Sequence, residues 1–199
     1  MTDIFGWVAA AIGISSIVPQ LVRILRAGNS AGVSLRMWQI TAGTGAAWGA
    51  HGFIIGSVQL QIPNIIGAAL AFAIVVFVLR DRERPVLREL ILPTLLAVAL
   101  TLIDLQWSAV VFGLLIVLPQ LVGQAAQLRA LLTTANPAGV SAGFLGIFVF
   151  GQSLWFVYGI GHGDWALIIC AGTMIVIASI NLTICLVRQA RARKLALAV

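Results

Sequence analysis

The stretch Val18-Pro19-Gln20-Leu21-Val22 returns a hundred positions later as Leu118-Pro119-Gln120-Leu121-Val122. Each copy stands near the end of a long apolar run. A proline there removes a backbone donor, and a glutamine brings in an amide that hydrocarbon cannot satisfy. Two costly residues repeated in the same order point to a duplicated unit. A shift of 100 also brings Trp7 onto Trp107 and Gly13 onto Gly113. A shift of 107 then brings Asn29 onto Asn136, the Ala-Gly-Val-Ser at 31–34 onto that at 138–141, Trp48 onto Trp155, Gly52 onto Gly159 and Gly56 onto Gly163. The difference between the shifts is an insertion of seven residues before Asn136.

Composition sets the solvent in which this duplication folds. Of 199 residues, 61% are hydrophobic and 9% charged, with a mean hydropathy of +1.08. A soluble domain carries roughly 25% charged residues, so the composition describes an all-α integral membrane protein. At roughly 20 residues per crossing, the chain has room for several spans. The net charge of +6 suits orientation in a bilayer better than nucleic-acid binding. Cys170 and Cys185 fall in one apolar run without metal-ligand spacing, so neither a disulfide nor a metal is expected, and both read as lipid-facing or packed.

Seven spans follow, at about 4–25, 36–56, 59–79, 85–103, 106–129, 139–161 and 165–187. The first has no basic region before it, so it reads as an uncleaved span. Pro85 suits the first turn of the fourth span, and Pro93 should kink it. Charge provides an independent count. This arrangement puts Arg23, Arg26, Arg36, Arg80, Arg82, Arg84, Arg88, Arg129, Arg188, Arg191, Arg193 and Lys194, all twelve basic residues, on one side. Asp3, Asp104, His162 and Asp164 fall on the other, so the N-terminus is expected outside and the C-terminus in the cytoplasm. The domain plan is a three-helix repeat at 1–80, a linker helix at 81–104, a second repeat at 105–188 and a basic cytoplasmic tail at 189–199. A repeat of three helices is odd in number, and the linker helix gives both copies the same orientation, a parallel-repeat plan that the transporter literature already associates with sugar carriers.

Seven spans as three plus one plus three, a Pro-Gln pair in the first helix of each repeat and a tryptophan in the second resemble the SWEET and SemiSWEET sugar carriers of the PQ-loop superfamily. The resemblance covers nearly the whole chain. It implies passive, bidirectional movement of a sugar by alternating access around a central pocket shared by the repeats. One fused chain would suffice for a pathway, while a homo-oligomer stays open. A single lysine against eleven arginines, with abundant alanine, points to a bacterial inner membrane.

Residue roles follow from that resemblance. Pro19, Gln20, Pro119 and Gln120 would form the hinge or cytoplasmic gate; the alternative is a static kink. Plant members of the family carry a further proline in the second helix of each repeat, and this chain has none there. Trp48 and Trp155 would offer indole faces to a pyranose, or else anchor the helices at the interface as Trp7, Trp38, Trp107 and Trp165 are expected to do. Asn64 would contact the sugar, and its counterpart Ala171 cannot, so the site should be lopsided. Gln152 and Thr44, each one turn before a pocket tryptophan, could compensate, and Ser15 matches a position that influences substrate size. Asn181 reads as helix packing or vestibule. His51, Tyr158, His162 and Asp164 are the outer-gate candidates. Gly45, Gly49, Gly52 and Gly56 leave one face of the second helix smooth for close packing.

Two further readings come from what the spans lack. The acidic residues are read as lying outside the spans, with Asp104 and Asp164 at the outer boundary, which favours passive over proton-coupled flux. No nucleophile with a base, metal spacing or phosphate loop is seen, so neither an enzyme nor a cofactor is expected. The expected partners are a small-molecule sugar and the lipid bilayer. The alternatives are an amino-acid or other small-solute transporter, and a non-transporting receptor or assembly subunit on the same fold.

Overall fold

The computed structural model describes residues 2–31, 33–133 and 141–197, the last five by backbone alone. Gly32, Asn136 and the repeated Ala-Gly-Val at 138–140 lie outside the described residues. Every regular element among the described residues is helical: α1 Thr2–Ala27, α2 Leu35–Ile54, α3 Val58–Asp81, α4 Val86–Glu89, α5 Ile91–Gln106, α6 Ala109–Thr133, α7 Ala142–His162 and α8 Trp165–Leu197. Six stretches are long and apolar enough to cross a membrane: α1, α3, α4 with α5, α6, α7 and α8. The chain is a multi-pass, all-α membrane protein. The helix outside that set is α2, which carries Gln39, Thr41, Thr44, His51 and a series of glycines, and 10 of its 20 residues are buried. A helix shielded by protein on several sides has less need of an apolar surface. Beyond Val187, where the basic tail was expected, the chain stays helical to Leu197.

Two compact units divide the chain, Met1–Phe112 and Gly113–Val199. In the first, α2 packs against α3 and α5, and α1 packs against α3. The α2–α3 contact is a seam of small residues. A Cβ added at Gly45 would meet Ala68 at 3.4 Å, and at Gly49 it would meet Ile65 at 3.2 Å. At Gly52 it would meet the Gln61 backbone nitrogen at 2.7 Å and the Leu60 Cβ at 2.9 Å. Without a hydrophobic driving force between helices in lipid, such close backbone approach is what holds them together. Gly56 does a different job: its φ of +70 turns the chain between the two helices.

The fourth crossing breaks at Leu90, three residues before the proline expected to kink it. The reason lies one turn back. Pro93 has no N–H to give the carbonyl of Glu89, and its ring crowds that carbonyl, so the helix restarts at Ile91. Gln39 Nε2 donates to the orphaned Glu89 oxygen at 2.7 Å and to the Glu89 carboxylate at 3.0 Å. The α1–α2 connection is likewise tied down from another element. Asp81 accepts from the Ser30 backbone at 2.8 Å and from its hydroxyl at 2.5 Å, while Arg82 donates to the carbonyls of Ser30 and Val33 at 3.3 and 2.6 Å. Arg23 adds a bond to Ala31 at 2.9 Å. Beneath this clasp lies a core that includes Trp38, Ala42, Ile74, Val75, Val78 and Leu79.

The second unit repeats the plan with other side chains. Ser141 caps α7 by accepting from Phe144 N, as Ser34 caps α2 by accepting from Met37 N. Asp164 accepts from Ala166 N and Leu167 N at 3.0 and 3.2 Å at the start of α8, where Ser57 caps α3. A Cβ added at Gly159 would meet the Leu167 Cβ at 2.9 Å, as one added at Gly52 would meet that of Leu60. Each of these pairs is related by the shift of 107. Helices α6 and α8 run side by side, bonded from Asn181 Nδ2 to the Gln124 carbonyl and side chain at 3.1 and 2.7 Å, and from Arg188 to the Leu131 carbonyl. Asn181 is thus a packing residue.

The seam makes a direct prediction. Gly52→Val places new carbon against backbone and should lower stability by about 1–3 kcal/mol, read as a fall in thermal unfolding midpoint in detergent. Gly13→Ala, where nothing among the described residues lies within 4 Å, should leave the midpoint unchanged or raise it. Equal effects of the two would show that the seam does not hold α2 to α3.

Candidate functional site

In the first unit, helix pitch places His51 one turn after Trp48, and their rings meet edge-on at 5.6 Å and 81°. Phe112, at the start of α6, completes a three-ring cluster. It is edge-on to Trp48 at 5.2 Å and 78°, and stacked on His51 at 5.0 Å and 21°. Trp48 is buried to 8% exposure within this cluster, so it is a packed residue and not an interface anchor. Asn64 stands on α3 opposite Gly49, where a Cβ on the glycine would lie 3.9 Å from the asparagine Cβ. Its amide donates to the Leu60 carbonyl at 2.9 Å, along its own helix. Thr44 bonds back to Ile40 at 2.9 Å and Ser15 to Ala11 at 2.6 Å, also within their own helices. Trp48 and Asn64 therefore stand on facing helices at neighbouring levels, whereas Ser15 is on α1.

One buried polar pair was not expected. His51 Nδ1 and Asp104 Oδ2 are 2.7 Å apart, with the histidine side chain at 0% and the carboxylate at 3% exposure. Placing the end of the fourth span at Ile103 put Asp104 at an aqueous boundary; the helix continues to Gln106 and carries Asp104 inside. Glu89, at 10% side-chain exposure, also lies inside the candidate span Val86–Gln106. The expectation that no carboxylate falls within a span is corrected on both counts. Each carboxylate has a partner on α2, His51 for Asp104 and Gln39 for Glu89, and Glu89 is also paired with Arg84 at 2.5 Å. His51, expected at the outer gate, is buried on α2 facing Asp104 on α5.

In the second unit, Trp155 and Tyr158 repeat the pairing of Trp48 and His51, edge-on at 5.8 Å and 90°. Tyr158 is buried to 1% and stacked against His162 at 4.1 Å, and His162 Nδ1 donates to the Tyr158 carbonyl at 2.9 Å. Of the outer-gate candidates in this unit, Tyr158 and His162 form a stacked pair, and Asp164 caps α8 at 6% exposure. Ala171 is fully buried and Gln152 half-buried. Pro119 lies inside α6 as Pro19 lies inside α1. Gln120 donates to Cys170 Sγ at 3.4 Å, which ties the Pro-Gln segment to α8, while Gln20 Nε2 is buried with no bond among the described residues. Both cysteines are buried, hence packed.

Four tryptophans were expected as interface anchors. Trp7, Trp107 and Trp165 are exposed at 43%, 69% and 59%. Trp38 is not: at 7% exposure it belongs to the core of the first unit, and its equivalent in the second, Leu145, is buried as well. A cavity of about 490 Å³ opens at the arginine end of the first unit, lined by Arg36, Arg84, Pro85, Arg88, Glu89, Ile91, Leu92 and Leu95. None of the expected substrate contacts borders it.

Removing one member of a buried pair leaves the other uncompensated. Asp104→Leu should cost about 3–5 kcal/mol of stability, and the double change His51→Leu with Asp104→Leu should recover most of that. A double-mutant cycle on unfolding in detergent measures this, and additive losses would show that the two groups are not coupled.

Comparison of the sequence with protein-family models and with curated proteins gave no match.

Proposed function

We propose that the chain is a carrier of a small solute, most simply a sugar, working by alternating access as the SWEET resemblance implies. On this reading α2 also crosses the bilayer, giving seven spans, with the N-terminus outside and the C-terminus in the cytoplasm of a bacterial inner membrane. Support for α2 comes from its packing between α3 and α5, both within crossing stretches. Support for the orientation comes from the arginines, which gather at the α1–α2 and α3–α4 connections in the first unit.

The observation that carries the carrier reading is the duplicated ring pair. At equivalent positions of both units a tryptophan is held edge-on by the ring three residues further on, at 5.6 and 5.8 Å. Packing alone does not demand a tryptophan at the same place in both copies when the ring beside it has changed from His51 to Tyr158 and most neighbours differ. A flat apolar surface at a fixed angle is what the C–H face of a pyranose needs, and polar groups nearby set its orientation. In the first unit Asn64 and Thr44 are the nearest candidates for that polar role, and in the second Gln152.

Uptake of labelled mono- and disaccharides into proteoliposomes tests this. Saturable flux of at least one sugar is expected. Trp155→Ala should reduce it by at least tenfold while the protein remains folded in the membrane. At the more deeply packed Trp48 the milder Trp48→Phe is the informative change, and a several-fold loss is expected. Absence of flux for every sugar would return the chain to the receptor or assembly-subunit alternative.

A further inference from the structure

We propose that the His51–Asp104 pair is a proton-binding site, and that, resting on the carrier reading above, the proton is a second ligand of transport. The pair joins α2 to α5 at 2.7 Å and is sealed from solvent, with exposures of 0% and 3%. A permanent clamp between two helices in lipid would be made most simply with arginine, which keeps its charge and offers a planar fork to a carboxylate. The chain has eleven arginines and puts none here. It uses the one cationic side chain that gains and loses its proton near neutral pH.

The first turns of α3 bring Gln59, Gln61 and Asn64, none of which titrates, and the start of α6 brings Ser108 and Phe112. On α2 the nearest charged residue is Arg36, fifteen residues away and so roughly 22 Å along the helix. On α5 and α4 it is Glu89, also fifteen residues from Asp104. Asp3 on α1 is the remaining charge at this end of the unit. A proton bound by the pair changes its charge by one unit in a place where few charges stand nearby on its own helices.

That change reaches the candidate sugar contact through direct ring contacts. His51 is stacked on Phe112, and both touch Trp48, at 5.6 and 5.2 Å. An imidazolium stacked on an aromatic face is held by the ring quadrupole, whereas a neutral imidazole is held less strongly. Protonation thus stiffens the cluster that fixes the Trp48 indole. In the second unit Tyr158 stands where His51 would be.

Two measurements on the full chain separate the proton site from the carrier reading. In detergent, intrinsic tryptophan fluorescence is titrated from about pH 5 to pH 9, since a protonated imidazole quenches a neighbouring indole. Acidification should quench a component that disappears in His51→Gln and in Trp48→Phe and survives in His162→Gln and Trp155→Phe. No titrating component, or one unchanged in His51→Gln, overturns the proton site. His51→Gln with Asp104→Asn retains a neutral hydrogen bond and serves if the single change does not fold. In proteoliposomes, an inward proton gradient should accelerate sugar entry several-fold, with alkalinisation of the medium, and both effects should vanish in His51→Gln. Titration without flux of any sugar keeps the proton site and overturns the carrier reading. Titration with flux indifferent to the gradient overturns the coupling.

Discussion

A polar group taken into hydrocarbon has no water to pair with, and each one in this protein has to find its partner on another part of the chain. That constraint orders the first unit. Pro93 orphans the Glu89 carbonyl and Gln39 on α2 takes it up; Asp104 is carried into the same helix and His51 on α2 meets it. Two bonds about three turns apart along α2 thus fasten α4 and α5 to it, between them the close approach of Gly43 to the Pro93 carbonyl. The fourth helix, a connector by sequence, is in this way built into the first unit. The second unit obeys the same constraint with amides, through Gln120 on Cys170 and Asn181 on Gln124.

The frame that holds these bonds is the repeated part. Serine caps at 34 and 141, first-turn caps at 57 and 164, and the glycine contacts of 52 with Leu60 and 159 with Leu167 coincide under one shift. These are backbone solutions: a helix start needs an acceptor for its first amides, and a tight helix pair needs a residue without a Cβ. Backbone solutions are hard to replace one residue at a time. Side-chain chemistry is not so bound, and it has drifted. Asn64 faces Ala171 in the alignment, Ser15 faces Leu115, and His51 faces Tyr158.

The duplication, the helical class and the glycine seam were legible in the sequence because each depends on local composition or on a fixed spacing. What was illegible depended on contacts between distant residues. Asp104 looked like the edge of a span because a lone carboxylate normally marks one; only its pairing with a residue 53 positions earlier makes burial tolerable. Trp38 looked like an interface anchor because tryptophan at a helix end usually is one, and the core formed by α3 around it overrode that preference. The kink expected at Pro93 fell at Leu90, where the disturbed hydrogen bond is, not where the ring is. Gln124 drew no notice, since its role exists only opposite Asn181.

The contrast between a conserved frame and divergent side chains bears on mechanism. If both copies needed only to bend, the rings beside the two tryptophans could have stayed alike. Instead one copy stacks its histidine on Phe112 and pairs it with a carboxylate, and the other stacks a tyrosine on a histidine bonded to backbone. The first arrangement changes charge when it gains a proton and is closed off from water on every described side; the second sits at a helix end with His162 exposed. Duplication frees one copy to keep the helix geometry while the other acquires a titratable group at a place where a change of charge is felt by neighbouring rings. Such a division puts the buried histidine–carboxylate pair in the first unit, on the α2–α5 interface, and the histidine of the second unit at an exposed helix end.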